Sequence, residues 1–146
     1  MSKEYTAILS GDAGTNQPSQ IKLVEDNNTP PSAGKAKIRI GHFAPFDSVV
    51  ANTGVDVRNE STGLVLANLS NVPFGTLSDY IELDAGVEYD LIVTNSSGTV
   101  LDIDPITFAA GEIATIIVSG GGANQSVGAS LVSNQRILYL PLIAQD

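Results

Sequence analysis

The sequence predicts an all-β protein, an antiparallel β-sandwich of about 9 to 11 short strands with no significant helix. Apolar residues recur at every second position in short runs, which is the periodicity of a half-buried strand. Gly, Pro, Asn and Asp bound these runs at intervals of about 8 to 12 residues, as turns between strands do. No segment shows a convincing helical repeat.

Each predicted strand is a run of branched aliphatic, aromatic and threonine residues between turn residues. The predicted strands are residues 5–10, 20–25, 36–43, 55–59, 63–66, 76–83, 88–94, 99–103, 113–119, 128–132 and 136–140.

The alternation of residue types also predicts which faces are buried. In KAKIRIGHF, Ile38 and Ile40 alternate with Lys37 and Arg39, which predicts a strand that is buried on one face and solvated on the other. The run IATIIVSG, residues 113–120, is apolar on both faces and therefore predicts a central strand.

The stretch EDNNTPPSAGK interrupts the strand pattern with two prolines, a glycine and a cluster of polar turn residues, and it is typical of a linker. The predicted organisation has four parts. They are a terminal hairpin at residues 1–26, a linker at residues 27–34, a complete sandwich at residues 35–134 and an apolar C-terminal strand or tail at residues 135–146.

The opening segment is repeated later in the chain. Residues 5–17, YTAILSGDAGTNQ, and residues 114–125, ATIIVSGGGANQ, each combine an apolar strand with a Gly-rich loop closed by Asn-Gln, and a strand containing Leu-Val follows both. Convergence of two ordinary hairpins is the alternative, because hairpins share glycine turns and aliphatic strands. An internal repeat predicts that the opening hairpin is the end of a preceding module.

Four further stretches carry a family resemblance: KIRIGHFAPF, VDVRN, NVPFGTLSDYIELDAGVEYDLIV and FAAGEIATIIVSG. Together they resemble the domain of unknown function 4397, over about residues 35–131. The resemblance implies an immunoglobulin-like or transthyretin-like β-sandwich that occurs in tandem in secreted and cell-surface bacterial proteins. It also implies that the segment before GKAKIRI is the end of an upstream repeat. It implies no activity.

Composition excludes several classes of function. The net charge of −9 disfavours nucleic acid as a partner, and no apolar run is long enough for membrane insertion. The absence of cysteine removes disulfides and thiolate chemistry. Few charged residues and abundant small polar ones are typical of an extracellular or cell-surface β-protein, so we predict that location.

No catalytic residues, metal ligands or cofactor site are predicted, and we expect a protein that is not an enzyme. His42 is the single histidine, and at a strand end its ring is expected to meet a backbone carbonyl. Acidic pairs such as Glu88 with Asp90 and Asp102 with Asp104 share a strand face and could contribute oxygen ligands to Ca²⁺. A solvated surface that keeps the sheets soluble is the favoured explanation. The loop SGGGANQ lacks the Lys-Ser/Thr of a phosphate loop and is predicted to be a hairpin turn.

Two surface features remain. Five Asn-x-Ser/Thr sequons predict glycosylation sites, or else a chain rich in turns, at Asn27, Asn59, Asn68, Asn95 and Asn124. The tail RILYLPLIAQD is apolar on both faces and contains Pro141, which suits an edge strand or an extension. It either packs on its own sandwich or is lent to a neighbour, since an exposed apolar strand otherwise aggregates.

The predicted function is a non-enzymatic structural module of a surface protein or fibre that joins itself or neighbouring repeats by strand complementation. The alternative is a module that binds Ca²⁺ or a surface glycan through loops at one end of the sandwich. The candidate assembly residues are Tyr5, Ile8, Leu9, Ile137, Leu138, Tyr139, Leu140 and Leu142.

Overall fold

The computed structural model describes residues 3–12, 17–45, 47, 49–121 and 126–134. Over these residues it contains ten strands and one 3-10 helix, Val50–Thr53. The strands are β1 (Tyr5–Asp12), β2 (Gln17–Glu25), β3 (Lys35–Phe43), β4 (Asp56–Asn59), β5 (Thr76–Leu77), β6 (Ile81–Asp84), β7 (Glu88–Asn95), β8 (Gly98–Thr107), β9 (Ile113–Ser119) and β10 (Gly128–Ser133). The all-β prediction is confirmed.

The strands form three sheets. The large sheet has the order β10-β9-β3-β5, with β6 also paired to β3, and the small sheet has the order β4-β7-β8. β1 and β2 form a separate two-stranded hairpin. The prediction of a wholly antiparallel sandwich is wrong at one pair, because β3 and β9 are parallel. Between them the chain crosses to the small sheet and returns, and such a crossover is what a parallel pair requires.

The hydrophobic core lies between the large and small sheets. Ile38 and Ile40 on β3 and Ile116 on β9 face Leu91 and Val93 on β7, and all five are at most 1% exposed. Burial of each such side chain contributes about 1.5–3 kcal/mol to folding. The central position predicted for residues 113–119 is confirmed, because β9 lies between β10 and β3.

The β1–β2 hairpin forms a third layer on the opposite face of the large sheet. Ile8 of β1 packs with Phe43 and Ile117, and Val24 and Leu77 border this second cluster. The predicted half-solvated face of β3 is therefore wrong: Lys37 and Arg39 are only 7% and 3% exposed. The hairpin and the segment that follows it cover the face that sequence alternation assigned to solvent.

Several predicted strands also differ from the structure in length or division. Residues 99–103 are part of the longer β8, Gly98–Thr107. Residues 63–66 form only an isolated bridge, Arg58↔Val65. Residues 76–83 are divided into β5 and β6 because Ser78 interrupts the ladder: its hydroxyl oxygen accepts the Ile40 N–H at 2.9 Å, while its own N–H donates to the Ile40 carbonyl at 2.8 Å. The strand predicted at residues 136–140 lies outside the described residues.

Candidate functional site

A buried ion pair holds the hairpin against the large sheet. The Arg39 guanidinium on β3 contacts the Asp26 carboxylate just after β2, with side-chain exposures of 4% and 7%. Arg39 Nε donates to Thr115 Oγ1 at 2.9 Å, and the Thr6 hydroxyl donates to Asp26 at 2.9 Å. The pair therefore connects β1, β3 and β9 through directed bonds.

Tyr80 completes this cluster. Its ring lies beneath two cations, with Arg39 Cζ at 4.7 Å and Lys37 Nζ at 4.9 Å from the ring centroid. Burial raises the pKa of the Tyr80 hydroxyl and lowers the pKa of the Lys37 ammonium. The arrangement is a double cation–π contact beside the ion pair that holds the hairpin.

The side of the sandwich between β8 and β10 is open. Among the described residues, β8 pairs only with β7 and β10 pairs only with β9, so both are edge strands on the same side of the molecule. A cavity of about 290 Å³ lies between them. It is lined by Asp102, Ile103, Asp104, Pro105, Ile106, Ile116, Ala129 and Leu131.

The two edges of this open side differ in their protection. β8 exposes Asp102, Asp104 and Pro105, which are the residue types that discourage further strand pairing. β10 has the sequence GASLVS, without charge or proline, and exposes Leu131 and Val132 by 46% and 38%. The edge of β10 is therefore the one that another strand can extend.

The direction of the β10 backbone groups follows from one hydrogen bond. The Asn134 N–H donates to the Ile113 carbonyl at 2.7 Å, across the ladder toward β9. Because backbone groups alternate along a strand, the amides of Ser133, Leu131 and Ala129 point away from β9 toward the open side. Ala129 and Leu131 also line the cavity.

Three carboxylates from separate segments meet on the small sheet. Ligand oxygens of Glu60, Asp90 and Asp102 lie within 4.8 Å of one another. The adjacent negative charges of Asp90 and Asp102 raise the pKa of Glu60. This grouping differs from the pairs expected from sequence, because Asp104 and Glu88 are not part of it. With one oxygen from each carboxylate, the group supplies three of the six to eight oxygens that Ca²⁺ prefers.

His42 is fully buried, and its Nε2 lies 2.5 Å from the Thr53 carbonyl oxygen, which is the backbone contact expected from the sequence. Burial lowers the pKa of the imidazole, which favours the neutral ring. The edge of the ring meets Phe74 at a centroid distance of 5.9 Å. The His42 side chain thus joins β3 to the 3-10 helix.

The sequon asparagines take part in turns. Asn27 Oδ1 accepts the Thr29 N–H at 3.0 Å, Asn59 Oδ1 accepts the Thr62 N–H at 3.1 Å, and Asn95 Oδ1 accepts the Ser97 N–H at 2.8 Å. Asn68 is exposed at a positive φ of 63°. Asn124 lies outside the described residues. Turn chemistry accounts for these asparagines, and glycosylation stays a prediction.

The candidate assembly residues of the hairpin point in two directions. Ile8 is 6% exposed and faces the large sheet, whereas Tyr5 and Leu9 are 49% and 75% exposed on the other side. Sequence analysis missed Ile21 and Leu23, which lie beside them on β2, although their alternation with Lys22 signals a shared face. The assembly residues of the tail, Ile137, Leu138, Tyr139, Leu140 and Leu142, lie outside the described residues.

The fold and these sites define an all-β module whose two packed sheets leave one side open. Residues 46–137 match the family model described as "Domain of unknown function (DUF4397)", and the chain belongs to this family. The C-terminal domain of AlgF from P. aeruginosa has a similar fold, with 18% identity and a TM-score of 0.50 over 68% of this chain and 98% of that chain. No match was found among curated proteins.

The family and the similar structure establish a β-rich module. The immunoglobulin-like or transthyretin-like assignment stays a prediction. Within the described part of the chain, no helix is long and apolar enough to cross a membrane.

Proposed function

We propose that this protein is a non-enzymatic structural module of an extracellular surface protein or fibre, and that its copies join when a strand from one copy extends the large sheet of the next. The observation that carries the proposal is the unprotected edge of β10 beside the cavity, whose lining combines aliphatic side chains with Asp102 and Asp104. Backbone hydrogen bonds along this edge would supply affinity, and side chains entering the cavity would supply register.

The donor strand that we propose is residues 137–143, which lie outside the described residues. In an extended strand Leu138, Leu140 and Leu142 share one face, because side chains alternate with a period of two. Three leucines on one face suit a cavity whose apolar lining includes Ile106 and Leu131. The opening hairpin is the weaker donor, because its Ile8 is already buried within its own chain.

Removal of residues 135–146 is expected to abolish long oligomers while leaving the sandwich folded. The measurement is sedimentation velocity of the full and shortened chains over a range of concentrations, with circular dichroism as the check on folding. The full chain should form a series of species that grows with concentration, because a donor strand and an acceptor edge on every copy give an open assembly. The idea fails if the full chain forms nothing larger than a dimer, or if removal merely destabilises a monomer.

The acceptor edge has a matched pair of proline variants. Ala129→Pro removes an N–H that points to the open side, so it should block assembly with little effect on the melting temperature. Ser130→Pro removes an N–H that points to β9, so it should lower the melting temperature markedly. Equal effects of the two variants on assembly and on melting would contradict the proposed role of the β10 edge.

Calcium binding is the second candidate function, favoured by the convergence of Glu60, Asp90 and Asp102. Isothermal titration of the chain with Ca²⁺ tests it. A heat of binding that the native chain shows and the Glu60→Gln variant does not would support a site. Titration with a glycan panel tests the binding of a surface glycan. If neither produces heat, this alternative is removed.

The raised pKa of Glu60 predicts a pH dependence of stability. The folded state binds the Glu60 proton more tightly than the unfolded state does, so ionised Glu60 destabilises the fold. This loss begins as pH rises through the ordinary Glu value of 4.5 and is complete above the raised folded-state pKa. Glu60→Gln should therefore melt slightly higher than the native chain at pH 7, with the difference disappearing at acid pH. Thermal melts across this range check the sign.

A further inference from the structure

The outer face of the β1–β2 hairpin is an exposed apolar surface. We define this outer hairpin face as Tyr5, Ala7, Leu9, Ile21 and Leu23. Leu9 pairs across the hairpin with Ile21, and Ala7 pairs with Leu23, so the residues form one continuous surface. Leu9, Ile21 and Leu23 are 75%, 74% and 66% exposed. Contiguous apolar surfaces of this kind mark interaction sites.

The internal repeat indicates that the outer hairpin face corresponds to a buried face of the sandwich. When residues 6–11 are aligned without gaps on residues 115–120, Ala7 corresponds to Ile116 and Leu9 to Val118. Ile116 and Val118 are at most 1% exposed and belong to the core between the large and small sheets. The outer hairpin face therefore has the residue pattern of a sandwich interior, but among the described residues no second sheet covers it.

Among the surfaces of this acidic chain, the outer hairpin face is one that a second copy can approach without charge repulsion. The net charge of −9 makes most surfaces of two copies repel each other. The outer hairpin face itself carries no charge, and at one end Lys3 and Glu25 neutralise each other in an ion pair of 2.9 Å. An uncharged apolar face is where two acidic copies can approach with the least electrostatic cost.

We propose that two copies of this chain pair through their outer hairpin faces, packed face to face about a two-fold axis. Both copies offer the same surface, so the contact is isologous and closes at two copies. The apolar outer face of each hairpin is then covered by a second layer about 10 Å away.

The size of the surface indicates a reversible contact. The large side chains expose on the order of 500 Å² per copy, below the roughly 800 Å² per partner of a standard stable interface. We therefore expect dissociation constants in about the micromolar range. This contact is independent of the strand exchange proposed above, because it uses neither β10 nor residues 137–143.

Single cysteine variants test the contact cleanly, because the chain has no cysteine of its own. In the full chain, Ala7→Cys lies at the centre of the outer hairpin face, and treatment with a short bis-maleimide should yield a covalent dimer. The matched control is Leu64→Cys, which replaces a side chain of 70% exposure outside this face and should give little dimer.

A pair of charge substitutions tests whether the crosslinked dimer forms through the outer hairpin face. Leu9→Lys with Ile21→Glu places opposite charges at a cross-strand pair, which preserves the hairpin but puts charges in the contact. It should reduce dimer formation by Ala7→Cys at least about tenfold with unchanged urea unfolding. Ala129→Pro should leave the crosslink intact, which separates this contact from strand exchange. Equal crosslinking of Ala7→Cys and Leu64→Cys, or a dimer indifferent to the charge substitution, would overturn the proposal.

Discussion

Replacement of Arg39 by alanine is expected to lower the free energy of unfolding by about 3–5 kcal/mol and to release the hairpin from the large sheet. The substitution leaves the Asp26 carboxylate buried without its countercharge, and the side chain of Asp26 is only 7% exposed. It also removes one of the two cations near the Tyr80 ring and the hydrogen bond to Thr115. Most of the expected loss of unfolding free energy comes from leaving the Asp26 charge buried without a partner, and less comes from the lost attraction between the two charges.

Urea unfolding measures the expected loss, and hydrogen exchange in residues 5–25 reports release of the hairpin. The informative control is the double variant Arg39→Met with Asp26→Leu, which removes both charges and fills the space with apolar side chains. Such replacements are often neutral or stabilising, so the double variant should recover most of the loss. If Arg39→Ala costs less than about 1 kcal/mol, the ion pair behaves like an exposed one and does not hold the hairpin.

The two proposed contacts, pairing through the outer hairpin face and strand exchange at β10, differ in symmetry. The inner face of the hairpin packs on its own chain, so the outer face remains for the proposed isologous pair. In the proposed strand exchange, the edge of β10 would accept a strand in a heterologous manner. An isologous contact closes, but a heterologous contact can continue without limit. A chain that uses both would form filaments whose subunits are cross-linked in pairs.

The sequence predicts local structure well where packing is determined by neighbouring residues. Strand β9 has the bounds that its pattern predicts, because residues 113–119 are apolar on both faces and only a central strand satisfies that pattern. The hairpin strands also follow from alternation, although β2 begins three residues earlier than the predicted start at residue 20. In these segments periodicity and burial agree.

Long-range contacts are what the sequence could not supply. Lys37 and Arg39 look like solvated residues because the hairpin that buries them is distant along the chain. The cavity between β8 and β10 depends on which strands become edges, and the parallel pairing of β3 with β9 determines that order. The carboxylate cluster likewise joins residues from three segments whose proximity no local pattern encodes.

Gly120→Ala is the second substitution with a large expected effect. Gly120 follows β9 with a φ of +83°, and a Cβ at this position would lie 2.1 Å from the Ser126 carbonyl oxygen. The backbone conformation costs a non-glycine residue about 1–2 kcal/mol, and the steric conflict with a backbone atom adds about 1–3 kcal/mol. We expect a total loss of about 2–5 kcal/mol in urea unfolding.

A second glycine separates the two causes of this loss. Gly63 has a similar φ of +67°, but a Cβ there meets nothing within 4 Å, so Gly63→Ala should show only the conformational cost. The excess destabilisation of Gly120→Ala then measures the close approach of the backbone between β9 and β10. Because this approach positions β10, Gly120→Ala should also weaken formation of long oligomers, which Gly63→Ala should not affect. Equal losses of stability in the two variants would show that the turn relaxes around the added methyl group and that the glycine is needed for its φ alone.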